Sequence, residues 1–443
     1  MRNNAKVHYT DTNLLHMYRF LSRTNIEKVN HFALLLFAFS INFPQKIVIY
    51  TLAFWLLTCL PILKFRKVSV LKNVPNIPLL ILALLFFGRI LIAIYHSDLS
   101  VFVLKQLLDT QLPLFVLPII LIFTANKLLE LNKVLIMYIV GCFVSAVISV
   151  IYFYLFRFGI LDPYAHLLFV PLRDMNSTFS DDVILFQRYI SDFFKHRAAV
   201  GANLVMATGC LIYLVKQQVI GLKSWHLVAV CFVGVFFVCV IYATGSRSGL
   251  ISLFSVLVIS VTYLLFNKRK KLVLGFLLIA ALLSGCMYLK TTRSLMISEI
   301  SSLDYNKIRT ADARFEIWES ALEIIKANPF AGVGYSQVDD LLIEKYKTKG
   351  LLLFAKERLK THNQFLQFSL ESGVWAAVFY VLFLLPIYFG KKNRYLSFSF
   401  SAVFFFYSMF EDSLILINGV SLLTFFIVIL YLLNKEETII AGE

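Results

Sequence analysis

Apolar residues fill long unbroken blocks of this chain, and short polar connections rich in lysine and arginine separate them. A hydrocarbon layer about 30 Å thick is crossed by roughly 20 apolar residues in an α-helix, so the blocks predict about twelve spans. They lie near residues 29–44, 46–63, 75–95, 105–125, 133–156, 199–215, 225–243, 249–266, 272–289, 364–389, 395–411 and 414–433. The first is short and stops at Pro44. Strands of a membrane barrel would be about ten residues long and would alternate polar with apolar positions. These blocks do not alternate. The pattern predicts an all-α, polytopic integral membrane protein in which residues 1–443 form a single membrane domain.

Composition agrees with the pattern. A hydrophobic content of 59% and a mean hydropathy of +0.78 exclude an ordinary soluble domain. Residues 1–28 are polar, so no cleavable signal peptide is expected ahead of the first block. The six cysteines, Cys59, Cys142, Cys210, Cys231, Cys239 and Cys286, all fall in predicted spans. They read as small apolar packing residues rather than disulfide partners or metal ligands.

A formal charge of +16 raises the question of nucleic acid. The basic residues are dispersed among short loops instead of lining one soluble face, so no nucleic-acid partner is expected. They report orientation. With the N-terminus placed in the cytoplasm, the inward loops carry Lys64, Arg66, Lys67, Lys72, Lys127, Lys133, Lys216, Lys223, the cluster 268–271, Lys391, Lys392 and Arg394. The short outward loops carry little beyond Lys46, Lys105 and Arg247. This asymmetry follows the positive-inside rule through every span and predicts that both termini are cytoplasmic.

That phase puts two long connections outside, 157–198 and 290–361. Within the second, DARFEIWESALEIIKANPF sets Phe315, Trp318, Leu322 and Ile325 along one predicted helical face before Asn328-Pro329 ends it. GVGYS then supplies a tight turn. The second connection is therefore expected to be a large helical extramembrane loop.

Three residues stand out on the outer side. Arg247, in YATGSRSGL, is a cation at a membrane boundary flanked by Gly245, Ser246, Ser248 and Gly249, small residues and hydroxyls that bring donors close to an anion. Arg314 lies on the loop helix, and His362 opens THNQFLQFSLESGVWAAVFYV. Singly, each has an ordinary explanation: headgroup contact, a surface ion pair, an interfacial helix cap. Gathered at one surface, two cations and a titratable base suit an anionic lipid substrate and a proton to be removed. Arg197, in KHRAAVGAN, is a further candidate for substrate binding, with Arg188 a weaker one, and Glu411-Asp412 could orient His362 or an arginine. No acidic pair at metal-ligand spacing occurs in the outer loops.

SRSG at 246–249, Arg314-x-x-x-Trp318 followed by NPFAGVGYS, and His362-Asn363 followed by Gly373 resemble, in this order, the O-antigen ligase and polymerase superfamily. The resemblance implies a metal-independent membrane glycosyltransferase, GT-C-like, without a cofactor, of about twelve spans with a helical periplasmic loop over a cavity. It implies a bacterial inner-membrane location and a periplasmic active site. The expected donor is a glycan on undecaprenyl diphosphate, and the expected acceptor is a sugar hydroxyl of the lipid A core, both anchored in membrane lipid. Arg247 and Arg314 would hold the diphosphate, with Arg197, Ser246, Ser248, Asn363 and Glu411 as binding residues. His362 would take the acceptor proton. The chain departs from the ligase pattern at Trp318, where leucine is usual, and at Ala376, where Gly, Thr or Tyr is usual. Both weaken the choice of ligase over polymerase. A protein O-oligosaccharyltransferase stays open within the class. Outside it, a polysaccharide transporter or flippase would draw on intramembrane charge such as Arg89.

Overall fold

A computed structural model of the chain describes residues 23–65, 76–96, 130–157, 196–217, 219, 224–265, 313–385, 393–414 and 417–440. The predicted spans at 105–125 and 272–289, Arg188, and most of both long connections before residue 313 lie outside these residues. The described chain is helical: α1 (Arg23–Ser40), α2 (Gln45–Phe65), α3 (Asn76–Tyr95), α4 (Leu131–Arg157), α5 (Arg197–Lys216), α6 (Ser224–Ala243), α7 (Arg247–Leu265), α8 (Ala313–Ala327), α9 (Val338–Thr348), α10 (Leu352–Lys356), α11 (Gln364–Ser372), α12 (Val374–Phe383), α13 (Arg394–Phe410) and α14 (Ile417–Ile440). The other predicted spans each overlap helix, 364–389 overlapping two.

Four described segments are long and apolar enough to cross a membrane: Gln45–Ile62, Leu131–Leu155, Arg197–Lys216 and Trp225–Ala243. Large apolar side chains project from the outer helices, among them Leu57 and Leu60 of α2, Leu91 of α3 and Val228 and Phe232 of α6. Water would penalise such a surface and lipid does not, so the exterior is that of a helical membrane protein. Cys59, Cys142 and Cys210 are buried, and none of these three, Cys231 or Cys239 is in a disulfide.

The centre is α5, buried along almost its whole length. It runs parallel to α7. Gly201 meets Gly249 near one end, Gly209 meets Val256 midway, and Lys216 Nζ donates to the Tyr263 carbonyl at 3.1 Å near the other end. A Cβ added to either Gly201 or Gly249 would come 3.1 Å from Ser246 Oγ, so the two glycines set the closeness of this crossing. Helix α13 runs antiparallel to both: Tyr213 Oη donates to Asn393 Oδ1 at 2.9 Å, and the Ser260 and Tyr395 hydroxyls lie 2.8 Å apart. The N-termini of α5 and α7 therefore share an end with the C-terminus of α13. Lys216 and Arg394 mark the opposite end, as the loop-charge pattern predicts for residues on one side.

Two expectations are corrected. The block 364–389 is not one span: it breaks at Gly373 into α11 and α12, of 9 and 10 residues, and at 1.5 Å per residue neither crosses a bilayer alone. Gly373 has φ +102° and ψ 163°, a conformation closed to other residues, and a Cβ there would strike the Phe330 carbonyl. Hydrogen bonds from Val333 N to Leu370 O (2.7 Å) and from Val374 N to Pro329 O (2.8 Å) tie the NPFAGVG loop to this break.

The expected face of α8 packs only in part. Ile317, Ala321 and Ile325 are buried, whereas Phe315 and Leu322 are exposed. Ile325 and Trp318 of the expected face thus pack together with Ile317 and Ala321, and Val338, Leu342, Tyr346, Leu351, Phe354 and Leu370 complete a small core with them. That core joins α8, α9 and α10 to α11, so the segment 313–361 is a compact helical unit seated beside the bundle end where α11 begins.

Candidate functional site

Four segments converge at that end: the start of α5, α8, the residues leading into α11, and the residues after α13. Their shared element is Glu411, the first residue past α13. Its Oε2 lies 3.6 Å from His362 Nδ1 and 3.8 Å from His196 Nε2, and its Oε1 lies 3.6 Å from Arg314 Nη2. Only 13% of the Glu411 side chain is exposed, against 20% for Arg314, 37% for His196 and 42% for His362. The carboxylate thus forms the floor of a cluster whose basic groups reach solvent.

The local fold explains the convergence. Asn363 caps α11, its side-chain oxygen accepting from Phe365 N at 3.0 Å and Leu366 N at 3.2 Å. Its own backbone N–H donates to Asp412 Oδ1 at 3.0 Å, and Gln364 Oε1 accepts from Leu414 N at 2.8 Å. From α8, Trp318 Nε1 donates to the Thr361 carbonyl at 2.9 Å, while its ring packs on Phe410. The tryptophan that departs from the ligase pattern is therefore the clamp on this loop. Held on both sides, His362 takes a left-handed backbone, φ +46°, which costs about 1 kcal/mol or more and persists only where neighbouring contacts enforce it. Arg314 is aimed by the Phe410 ring, 5.7 Å from its guanidinium carbon.

The electrostatics separate the two imidazoles. The Glu411 carboxylate raises His362 above its ordinary value, with burial and Arg314 opposing and Asp412 assisting. Burial lowers His196, and Arg197, His362 and Arg314 lower it further against Glu411. The first residue of α5 follows it, and a helix N-terminus disfavours a positive charge in the same sense. For Glu411, burial alone would raise the carboxyl; His362, His196 and Arg314 outweigh it and hold the group below the usual range. Burial pushes Asp412 up, despite His362 and its bonds to Thr361 and Asn363.

The sequence candidates are thus partly united. Arg314, His362 and Glu411 are in direct contact. Arg197 opens α5 next to His196, and Arg247 opens α7 half-buried at the same bundle end. Ser246 and Ser248 are buried there, with hydroxyls 3.1 Å apart, and Ser246 Oγ accepts from Gly249 N at 3.0 Å as the cap of α7. Both serines and Asn363 therefore shape the helix ends that present the arginines and the histidine. His196 escaped the sequence reading; its only signal was adjacency to Arg197. The Asp412 anchor and the Trp318 clamp join residues far apart in sequence and carried no local signal. Arg89, the buried charge on which transport would draw, is ion-paired to Glu371.

Residues 232–381 match the family model described as O-antigen ligase. That range contains Arg247, Arg314 and His362 and stops short of Glu411. The chain is 29% identical over 163 residues to an uncharacterized protein of Haemophilus influenzae, covering 34% of this chain and 40% of the relative. It is 30% identical over 169 residues to the ComP-specific O-oligosaccharyltransferase of Acinetobacter baylyi, covering 35% of this chain and 29% of that protein. The chain thus aligns with less than half the length of these relatives.

Proposed function

Because the chain carries an O-antigen ligase superfamily region over residues 232–381, we propose that it is a metal-independent membrane glycosyltransferase. In this reading it moves a glycan from undecaprenyl diphosphate to a sugar hydroxyl of the lipid A core, at the periplasmic face of the bacterial inner membrane, with both termini in the cytoplasm. The observation that carries the reading is the contact of Arg314 and His362 with one sheltered carboxylate, Glu411.

The chemistry follows from that contact. With Nδ1–H directed at Glu411, the neutral His362 ring would present Nε2 as a base on the exposed side of the cluster. The acceptor hydroxyl oxygen attacks the anomeric carbon of the glycan while its proton passes to His362 Nε2. The bond from that carbon to the diphosphate oxygen breaks, and undecaprenyl diphosphate leaves with one more negative charge. Arg314 and Arg247, with Arg197 beside them, meet that charge; a guanidinium fork binds two phosphate oxygens at once. Such preorganised cations can supply leaving-group stabilisation of about 3 kcal/mol each.

A second reading shares the donor chemistry and changes the acceptor. It rests on the name of the Acinetobacter relative, an O-oligosaccharyltransferase; here the acceptor would be a protein hydroxyl. Deletion of the gene followed by electrophoresis of lipopolysaccharide and of glycosylated protein separates them. A ligase leaves bare core with lipid-linked polymer accumulating, a polymerase leaves core capped by one repeat, and an oligosaccharyltransferase leaves lipopolysaccharide intact and protein unglycosylated. Intact products of all three kinds, with no lipid-linked glycan accumulating, would overturn the proposal.

A further inference from the structure

Arg89 sits in α3, outside the stretch matched to the ligase family, and is 1% exposed. Its Nη2 is ion-paired to Glu371 Oε2 of α11, itself 3% exposed, across 282 positions of sequence. Nε and Nη1 have no hydrogen-bond partner among the described residues. The guanidinium lies instead against Phe368, 4.1 Å from the ring centre, and Tyr335, 5.0 Å from it. Among the described residues, two aromatic rings and one carboxylate thus hold this buried cation.

The other Glu371 oxygen leads away from Arg89. Oε1 accepts from Gln367 Nε2 at 2.7 Å, and Gln367 Oε1 is 3.1 Å from the Thr361 hydroxyl. That hydroxyl is also 3.2 Å from Asp412 Oδ1, the same oxygen that accepts the Asn363 backbone N–H. The Asn363 carbonyl lies 3.3 Å from the hydroxyl as well. A hydroxyl has one proton to give, so its choice among Gln367, Asp412 and the Asn363 carbonyl depends in part on how the Gln367 amide is held. Glu371 holds it. The chain of polar contacts therefore ends on Thr361 and Asn363, the two residues that flank His362.

We propose that Arg89 and Glu371 are positioning residues for glycan transfer, acting on His362 through Gln367, Thr361 and Asp412. The proposal rests on the transferase reading given above. Its physical content is orientation: the buried ion pair fixes one carboxylate, and each polar group in turn fixes the next, up to the strained turn that aims the His362 ring at Glu411. A buried network of this kind holds a single arrangement only while every member keeps its partner. The groups that face His362 are Glu411 and Asp412 after α13, Arg314 on α8 and His196 before α5. Losing its aim would move the ring away from the first of these.

The test uses the full-length protein in nanodiscs with Arg89→Met, Glu371→Gln, Gln367→Leu and Thr361→Val. The last two leave the ion pair intact and are the safeguard if the first two fold poorly. Two quantities are read on folded protein: kcat and donor KM for transfer, and the pH midpoint of His362 carbethoxylation by diethylpyrocarbonate, followed by peptide mass spectrometry. Each variant is expected to lower kcat by about 10-fold to 100-fold while donor KM changes by less than about threefold. The His362 midpoint is expected to fall toward the ordinary imidazole value of about 6.5. Wild-type kcat and midpoint in both Gln367→Leu and Thr361→Val would overturn the proposal and leave Arg89–Glu371 as a brace between helices. If the wild-type protein transfers no glycan, the function reading fails, and the carbethoxylation midpoints still decide whether the network positions His362.

Discussion

Replacing Glu411 with glutamine keeps the shape of the side chain and removes its charge. At the 3.6 Å separation from His362 Nδ1, a full ion pair is worth about 4 to 5 kcal/mol at an effective dielectric of about 20. The His362 side chain is 42% exposed, so solvent screens much of this. About 1 to 2 kcal/mol remains after that discount. The sign is fixed by the carboxylate, which favours the charged imidazole and raises its pKa. With the charge gone, burial and Arg314 both act to lower it. Transfer needs the neutral ring, so wild-type kcat should rise with pH through a midpoint above the ordinary imidazole value. In Glu411→Gln that rise should come at lower pH. The plateau should fall about 10-fold to 100-fold, because the ring loses the anion that stabilises it when it takes the proton. The assay is initial-rate transfer with a lipid-linked glycan between pH 5 and 9. A midpoint that stays fixed or moves upward would refute the assignment of Glu411 as the partner of His362.

Three further outcomes follow from the same geometry. Arg314→Lys keeps a charge near Glu411 and loses the fork, so transfer should fall by about 30-fold to 1,000-fold in a kinetic assay; activity within threefold of wild type would remove bidentate binding. Trp318→Phe deletes the donor to the Thr361 carbonyl and keeps most of the ring packing on Phe410. It should lower kcat more than it lowers the melting temperature, a stability cost of about 1 kcal/mol being expected for one hydrogen bond. Gly373→Ala forces a side chain into a conformation reserved for glycine and against the Phe330 carbonyl. It should destabilise the protein by about 2 kcal/mol or more, and a thermal shift assay showing no loss would contradict the account of the α11–α12 break.

The long helices were legible because their signal is local: a block of apolar residues needs no partner to be read. The break inside 364–389 was not, because VWAAVFYVLF keeps the hydropathy high past Gly373, and what makes the glycine necessary is the carbonyl of Phe330, 43 positions earlier. The packing face of α8 was only partly legible for a related reason. Two stripes on it share the helical period, and only the docking of α9 and α10 decides that Ile317, Ala321 and Ile325 go inward. Arg314 and His362 could be singled out by residue type and by order along the chain. Their meeting point at Glu411 could be offered as a possibility, since an acidic pair at a helix end has several uses. His196 was hidden beside a more conspicuous arginine. Arg89 was visible as a charge in an apolar block, while nothing in the sequence marked Glu371, 282 positions later, as its partner.

The most direct test of the central claim is transfer by the purified full-length chain in nanodiscs, supplied with a glycan on undecaprenyl diphosphate, with lipid A core or with an acceptor protein, and with a chelator present. The account predicts a glycosylated acceptor together with stoichiometric undecaprenyl diphosphate, and loss of both products in Arg314→Ala and His362→Ala. Release of undecaprenyl diphosphate with neither acceptor, or undiminished transfer by His362→Ala, would contradict it.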